Sequence, residues 1–267
     1  MAAPRTEIAP TLAEYTRLVD TARRSTGAPI WFRGIGSTQH KLIPSLYRHP
    51  TKTQISDLVE LEGELLTRFR HRSIPYQDRP LSDSWELLFM MQHFGVPTRL
   101  LDWSENPFIA LYFAITSAEQ KASGGAFSED AAIWMLNTKE WNGKVLSPYW
   151  KGRVVSVPDN PLEGYFPGAD LGKLAALPIA MAGLYNSPRI VAQRGAFTIF
   201  GHMNLSMEEL FDQQGFPQEA LLKIVLPKDD LPVIRDSLFG IGYADSMIYP
   251  DLPGLAKEMK RHFGFGV

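Results

Sequence analysis

The chain has no cysteine among its 267 residues. Disulfides and thiolate metal sites are thereby excluded, and a reducing compartment is the easy fit. No apolar run approaches the roughly eighteen residues of a membrane span. The stretch Met1 to Pro10 is polar, with Arg5 and Glu7, and lacks the apolar core of a secretory signal, so a cytoplasmic protein without membrane attachment is expected. A surplus of one charge is missing too. The formal net charge is −2, which provides no global pull toward nucleic acid, so any such contact needs a local basic patch. The chain shows no internal repeat, no low-complexity linker and no Walker, GxSxG or kinase motif. The segment "GIGSTQ" lacks the third glycine of a dinucleotide fingerprint. The six histidines stand far apart, at 40, 49, 71, 93, 202 and 262, without an HExxH, so no zinc site is expected.

What remains is an ordinary globular composition, 45% hydrophobic and 21% charged, at a length that a single domain accommodates. Apolar periodicity predicts a helix over 11–24, a strand from Ile30 to Arg33, and a helix from Thr53 carrying Ile55, Leu58, Val59, Leu65, Leu66 and Phe69. A third helix is capped around Ser82 to Ser84 and ends at Gly95, with Pro97 beyond. "TRLLDW" predicts a buried strand, and the next helix starts at Ser104, with Pro107 tolerated in its first turn. Further strands are expected at Ala132–Leu136, Arg153–Val157, Gly195–Phe200 and Leu222–Leu226. Leu171–Tyr185 is expected to be a helix broken near Pro178, and Pro232–Phe239 another. Lys139–Ala169, rich in glycine and proline, is expected to form an ordered loop or flap. Helices and strands alternate without the rhythm of a parallel doubly wound sheet, so the fold class is mixed α+β.

The chemistry concentrates in "LLFMMQHFGVPTRLLDWSENPFIALYFA", where Gln92, His93, Thr98, Arg99, Asp102 and Ser104 interrupt what is otherwise core. Strand alternation sets Thr98, Leu100 and Asp102 on one face and Arg99, Leu101 and Trp103 on the other. Asp102 either serves an anion site beside a helix N-terminus, caps that helix, or pairs with an arginine such as Arg33. Arg33 leaves a buried strand beside Gly34, where a ligand could approach the backbone. His93 ends an all-apolar helix and is either a core histidine or a base. Gln193, with Arg189 and Arg194, precedes a strand bearing Phe197. A basic cluster of Arg68, Arg70, His71, Arg72 and Arg79 offers either a phosphate contact or a solvated helix end.

"WFRGIG", "MQHFGVPTRLLDWSENPFIALYFA" and "RIVAQRGAFTIF" resemble the FRG domain family, named for the triplet at Phe32, Arg33 and Gly34. The resemblance runs from about Ile30 to Ala256 and implies a single domain over 1–267, its core at about 28–256 with the helix 11–24 packed on it. That family is often found in prokaryotic defence or mobile-element settings. Motif order is also distantly similar to the ADP-ribosyltransferase superfamily, which implies a mostly antiparallel sheet core with surrounding helices and NAD as co-substrate. On that resemblance Arg33, His93, Asp102 and Gln193 are the catalytic candidates. Arg33, Gly34, Thr98, Arg99, Trp103, Ser104 and Phe197 would hold the dinucleotide, the diphosphate against Arg33 and the helix starting at Ser104. Gln193 stands where that superfamily has a glutamate, so Asp102 or Glu105 would have to supply the negative charge. The implied activity is a toxin or antiphage effector that modifies RNA, DNA or protein, with an antitoxin or chaperone as a further partner. The alternatives are a non-catalytic ligand- or nucleic-acid-binding module and a metal-independent nucleic-acid hydrolase using His93 and Asp102.

Overall fold

A computed structural model describes residues 3–265 apart from 78, 80, 82, 122–125, 147, 158, 185 and 186. Seven strands run in chain order as β1 (Arg5–Ile8), β2 (Ile30–Ile35), β3 (Leu100–Ser104), β4 (Ala131–Asn137), β5 (Ile179–Ala182), β6 (Gly195–Ile199) and β7 (Leu221–Leu226). They form one sheet in the order β1-β7-β4-β2-β3-β6-β5. Only β1 on β7 is parallel; every other neighbour is antiparallel. The helices are α1 (Leu12–Thr26), α2 (Ile55–Arg72), α3 (Ser84–His93), α4 (Pro107–Thr116), α5 (Thr138–Val145), α6 (Pro188–Ala192), α7 (Met207–Gln214), α8 (Leu231–Gly240), α9 (Asp245–Ile248) and α10 (Leu252–His262). The class is mixed α+β, with a mostly antiparallel sheet. No helix among the described residues is long and apolar enough to cross a membrane.

Pairing is uneven along the sheet. β2 meets β4 over six residue pairs and β3 meets β6 over five, whereas β2 and β3 share the single pair Phe32–Ser104. The sheet therefore forks between β2 and β3. Ile30 and Phe32 of β2 face α4, α1 and α8, while Leu100 of β3 and Phe197 and Ile199 of β6 face α3. Both sets lie on the same face of the sheet, so two layers, α4 on one arm and α3 on the other, flank the fork. The opposite face, with Trp31, Trp103 and Trp134, is covered by the turn at Ser45–Arg48 and by α2, α5 and α7.

The glycines of "FRGIG" have a local cause. A Cβ on Gly34 would lie 1.8 Å from the carbonyl oxygen of Ala110, and one on Gly36 would lie 2.2 Å from that of Ser117. Gly34 lies in β2 and Gly36 just past its end, and their bareness lets this stretch press against the backbone of α4 and of its C-cap Ser117. The glycine proposed for close ligand approach admits a helix instead. Helix α4 is apolar nearly all round because it is covered on several sides, with seven of its ten residues buried.

Several expectations fail where local pattern is a weak guide. Arg153–Val157 is not a strand; Val155 makes an isolated bridge to Met181. Leu171–Tyr185 is not a helix. It opens with a short turn at Leu171–Lys173 and continues, after Pro178, as the edge strand β5, while Tyr185 lies outside the described residues. The expected loop at 139–169 contains α5 and a 3-10 turn at Asn160–Tyr165, anchored by buried Trp141, Leu162 and Tyr165. Helix α4 is capped by Asn106, whose side chain accepts from the Phe108 N–H, and not by Ser104. Asp83 caps α3; Ser82 lies outside the described residues.

Candidate active site in the fork of the sheet

A cavity of about 360 Å³ fills the space between the two arms, a size within the range of small-molecule sites. Its wall draws Arg33 and Gly34 from β2, Gln92 and His93 from α3, Asp102, Trp103 and Ser104 from β3, Phe113 from α4, Arg189 from α6, and Gln193 and Phe197 around β6. Eight predicted site residues therefore converge: Arg33, Gly34, His93, Asp102, Trp103, Ser104, Gln193 and Phe197. Two do not reach it, Thr98 and Arg99.

Arg33 shows why the fork is stable. The Phe200 N–H donates to the Arg99 carbonyl and the Glu105 N–H to the Arg194 carbonyl, so the odd-numbered residues of β3 bond to β6. The carbonyl of Asp102 then points toward β2, where the fork leaves it without a ladder donor. Arg33 Nη1 fills that role at 2.6 Å. This is the only hydrogen bond the guanidinium makes among the described residues, and its Nε–H is buried without an acceptor. A guanidinium has five N–H donors. Burial draws the Arg33 pKa down, opposed by the charge of Asp102.

The Asp102 carboxylate is held separately. Gln92 Nε2 donates to Asp102 Oδ2 at 2.8 Å, and Gln92 Oε1 accepts from Thr98 Oγ1 at 2.5 Å. Thr98 Oγ1 itself accepts from the Leu100 N–H at 3.0 Å. The chain has one direction. The ionised Asp102 carboxylate can only accept, so the Gln92 amide turns its N–H₂ toward it and its oxygen toward Thr98, whose hydroxyl donates. Thr98, fully buried, thus acts behind the cavity wall. Asp102 retains access to solvent through the cavity although protein surrounds it. Withdrawal from bulk water raises its pKa above the ordinary carboxylate value, opposed first by Arg33, then by Gln92 and Arg189. It is the only carboxylate lining the cavity among the described residues; Glu105 is exposed and does not line it.

Arg99 serves the fold and not the cavity. Its Nε meets Glu62 Oε1 at 2.8 Å, and Nη1 and Nη2 donate to the carbonyls of Phe200 and Tyr165, with both charged side chains fully buried. Removing one partner of such a pair costs about 3–5 kcal/mol. Arg99, which the superfamily resemblance counted among the dinucleotide-holding residues, is therefore a buried structural cation.

His93 ends α3 half-buried, its Nδ1 3.4 Å from the Ser187 hydroxyl. Burial, and next the charge of Arg189, hold its pKa below the ordinary histidine value, against Asp251. The imidazole is therefore neutral near pH 7 and able to accept a proton. Among the described residues no hydrogen bond links it to Asp102, and both line the same cavity. Ser104 Oγ donates to the Gln193 carbonyl at 2.7 Å and accepts from the Asn106 N–H, while Gln193 Nε2 donates to the Ile248 carbonyl at 3.2 Å. Both tie β3 and α6 to α9. Trp103 is buried with Nε1 on Thr198, and Phe197 packs on Phe89 at 5.0 Å.

Residues 28–123 match the FRG domain. The matched segment holds β2, α3, β3 and α4, hence Arg33, Gln92, His93, Asp102 and Ser104. The FRG match leaves out Arg189, Gln193 and Phe197, which line the cavity beside β3 and α3 on the arm that β6 completes. No curated protein and no solved structure matches the chain. Among the described residues no group of three or more histidine, aspartate or glutamate side chains could hold a metal ion. Of the basic cluster, Arg79 is paired with Glu86 and Arg70 donates to Ser84, while Arg68, His71 and Arg72 border an open cleft on α2.

Proposed function

We propose that the cavity binds NAD and that the protein transfers ADP-ribose from it to a macromolecule, as a toxin or defence effector. One observation carries this reading: an arginine with a single hydrogen bond and a lone carboxylate meet at one cavity, and both are held by other parts of the fold. A cation left so poorly satisfied suits a diphosphate, whose oxygens accept the donors that the protein does not. Arg189 adds a second positive charge across the cavity.

The residues then divide the work. Arg33 and Arg189 hold the diphosphate. Asp102, kept as an acceptor by Gln92, faces the ribosyl carbon, where positive charge grows as the glycosidic C–N bond breaks and its electron pair leaves with nicotinamide. His93 takes the proton of the acceptor nucleophile as its lone pair bonds to that carbon. Phe89, Phe113 and Phe197 provide the apolar wall. Gln193 contributes an amide, which cannot supply negative charge, so Asp102 alone carries that role.

The test is incubation of the purified protein with labelled NAD and with protein, DNA and RNA acceptors. Label transfer with nicotinamide release is expected, and Asp102→Asn should lower it by about 100–1,000-fold, the effect of removing one preorganised electrostatic contact. NAD binding without turnover would favour the binding module; no binding at all would sink the proposal.

A further inference from the structure

Helix α10 is mounted with its polar side inward. At about 100° per residue, Leu252, Leu255, Met259 and the cap residue Phe263 fall within one arc, and they are 79%, 44%, 52% and 67% exposed. The opposite arc carries Gly254, Lys257, Glu258 and Arg261, and it is this arc that meets the body of the protein. Lys257 Nζ and Arg261 Nε reach the buried Asp245 carboxylate at 3.2 and 3.0 Å. Glu258 accepts from the Ser246 N–H at 3.0 Å, and Gly254 lies against the carbonyl of Tyr249. Tyr112 also donates to Asp245, at 2.5 Å. A surface helix ordinarily turns its apolar stripe to the core. Here charges anchor the helix and the stripe points to solvent.

We infer that this stripe is the contact surface for a second copy of the chain, packed helix to helix in antiparallel orientation about a twofold axis. The spacing of three, four and four residues runs the whole length of α10, as side-by-side helix packing requires. The stripe is complementary to itself. Setting Leu255 against Met259 of the second copy brings Leu252 within one residue's rise of Phe263, so a smaller side chain meets a larger one at each end. Charge follows the same symmetry. Asp251 stands exposed at the N-terminal end and Lys260 and His262 at the C-terminal end. Antiparallel pairing places each acidic end beside a basic one, whereas parallel pairing would set like charges together.

The absence of cysteine makes the test direct, because an introduced thiol is the only one in the chain. Light scattering and sedimentation of the wild type over a range of concentrations should give the dimer mass. Leu255→Glu combined with Met259→Glu should give the monomer mass with an unchanged far-ultraviolet circular dichroism spectrum, since both side chains are exposed and point away from the fold. Ala256→Cys, close to the proposed axis, should crosslink to itself with a short bis-maleimide. A wild type that is monomeric throughout overturns the inference, whether or not it floats with anionic lipid vesicles or retains an acidic protein. So does a dimer that survives the double substitution or fails to crosslink.

Discussion

Asp102 illustrates how a single side chain can serve a site at the expense of the fold. Its native pKa is raised, so between the ordinary carboxylate value and that raised value the folded chain holds more protons than the unfolded chain. Stability therefore falls as pH rises through this window. Asp102→Asn removes the ionisation while keeping an acceptor for Gln92. The variant should melt at a higher temperature than the wild type at pH 7, and the difference should vanish below about pH 3.8. Thermal melts across that range check it; a variant less stable at neutral pH would show that the carboxylate supports the fold. Thr98 and Gln92 belong to the same account: Gln92, in the cavity wall, orients the carboxylate, and Thr98 orients Gln92 from behind that wall.

At the scale of elements, the contact between β2 and α4 positions everything else. Arg33 reaches the Asp102 carbonyl only because β2 lies flat on the helix, and it lies flat because Gly34 and Gly36 have no side chains. Gly34→Ala would drive a methyl group into the Ala110 carbonyl. Backbone offers little room to yield, so the loss of stability should be about 3 kcal/mol or more, at or beyond the upper end for overpacked interiors. Denaturant unfolding measures it. A cost below about 1 kcal/mol would mean that the strand and helix slide apart easily, and the fork would then be less firmly built than its geometry suggests. The Arg99–Glu62 pair plays the corresponding part on the other arm, tying α2 to the start of β3.

For the whole molecule, the decisive feature is that the cavity spans two arms of a sheet joined at one residue pair. A ligand in the fork should act as a brace between them. Adding NAD at about a hundred times its Kd should raise unfolding stability by about 2.7 kcal/mol. It should also slow hydrogen exchange at Arg33–Ile35 and at Leu101–Ser104 together, one stretch from each arm. Protection confined to one arm would mean that the ligand binds elsewhere or does not bridge the fork.

Local chemistry alone was enough to locate most of the secondary structure. The apolar periods of α1, α2, α3 and α4, the buried runs of β2, β3, β4, β6 and β7, and the α+β class are properties of neighbouring residues and survive without knowledge of the fold. The alternation that separated Asp102 from Trp103 is of the same kind. Tertiary structure decided which polar residues meet. Arg33 and Asp102 lie 69 positions apart, and nothing in their neighbourhoods distinguishes Arg33, left short of partners, from Arg99, fully paired. Only the long-range position of Glu62 does so. The edge strand β5 and the inverted helix α10 were hidden for the same reason: a strand at a sheet's margin and a stripe turned to solvent are defined by what lies beside them.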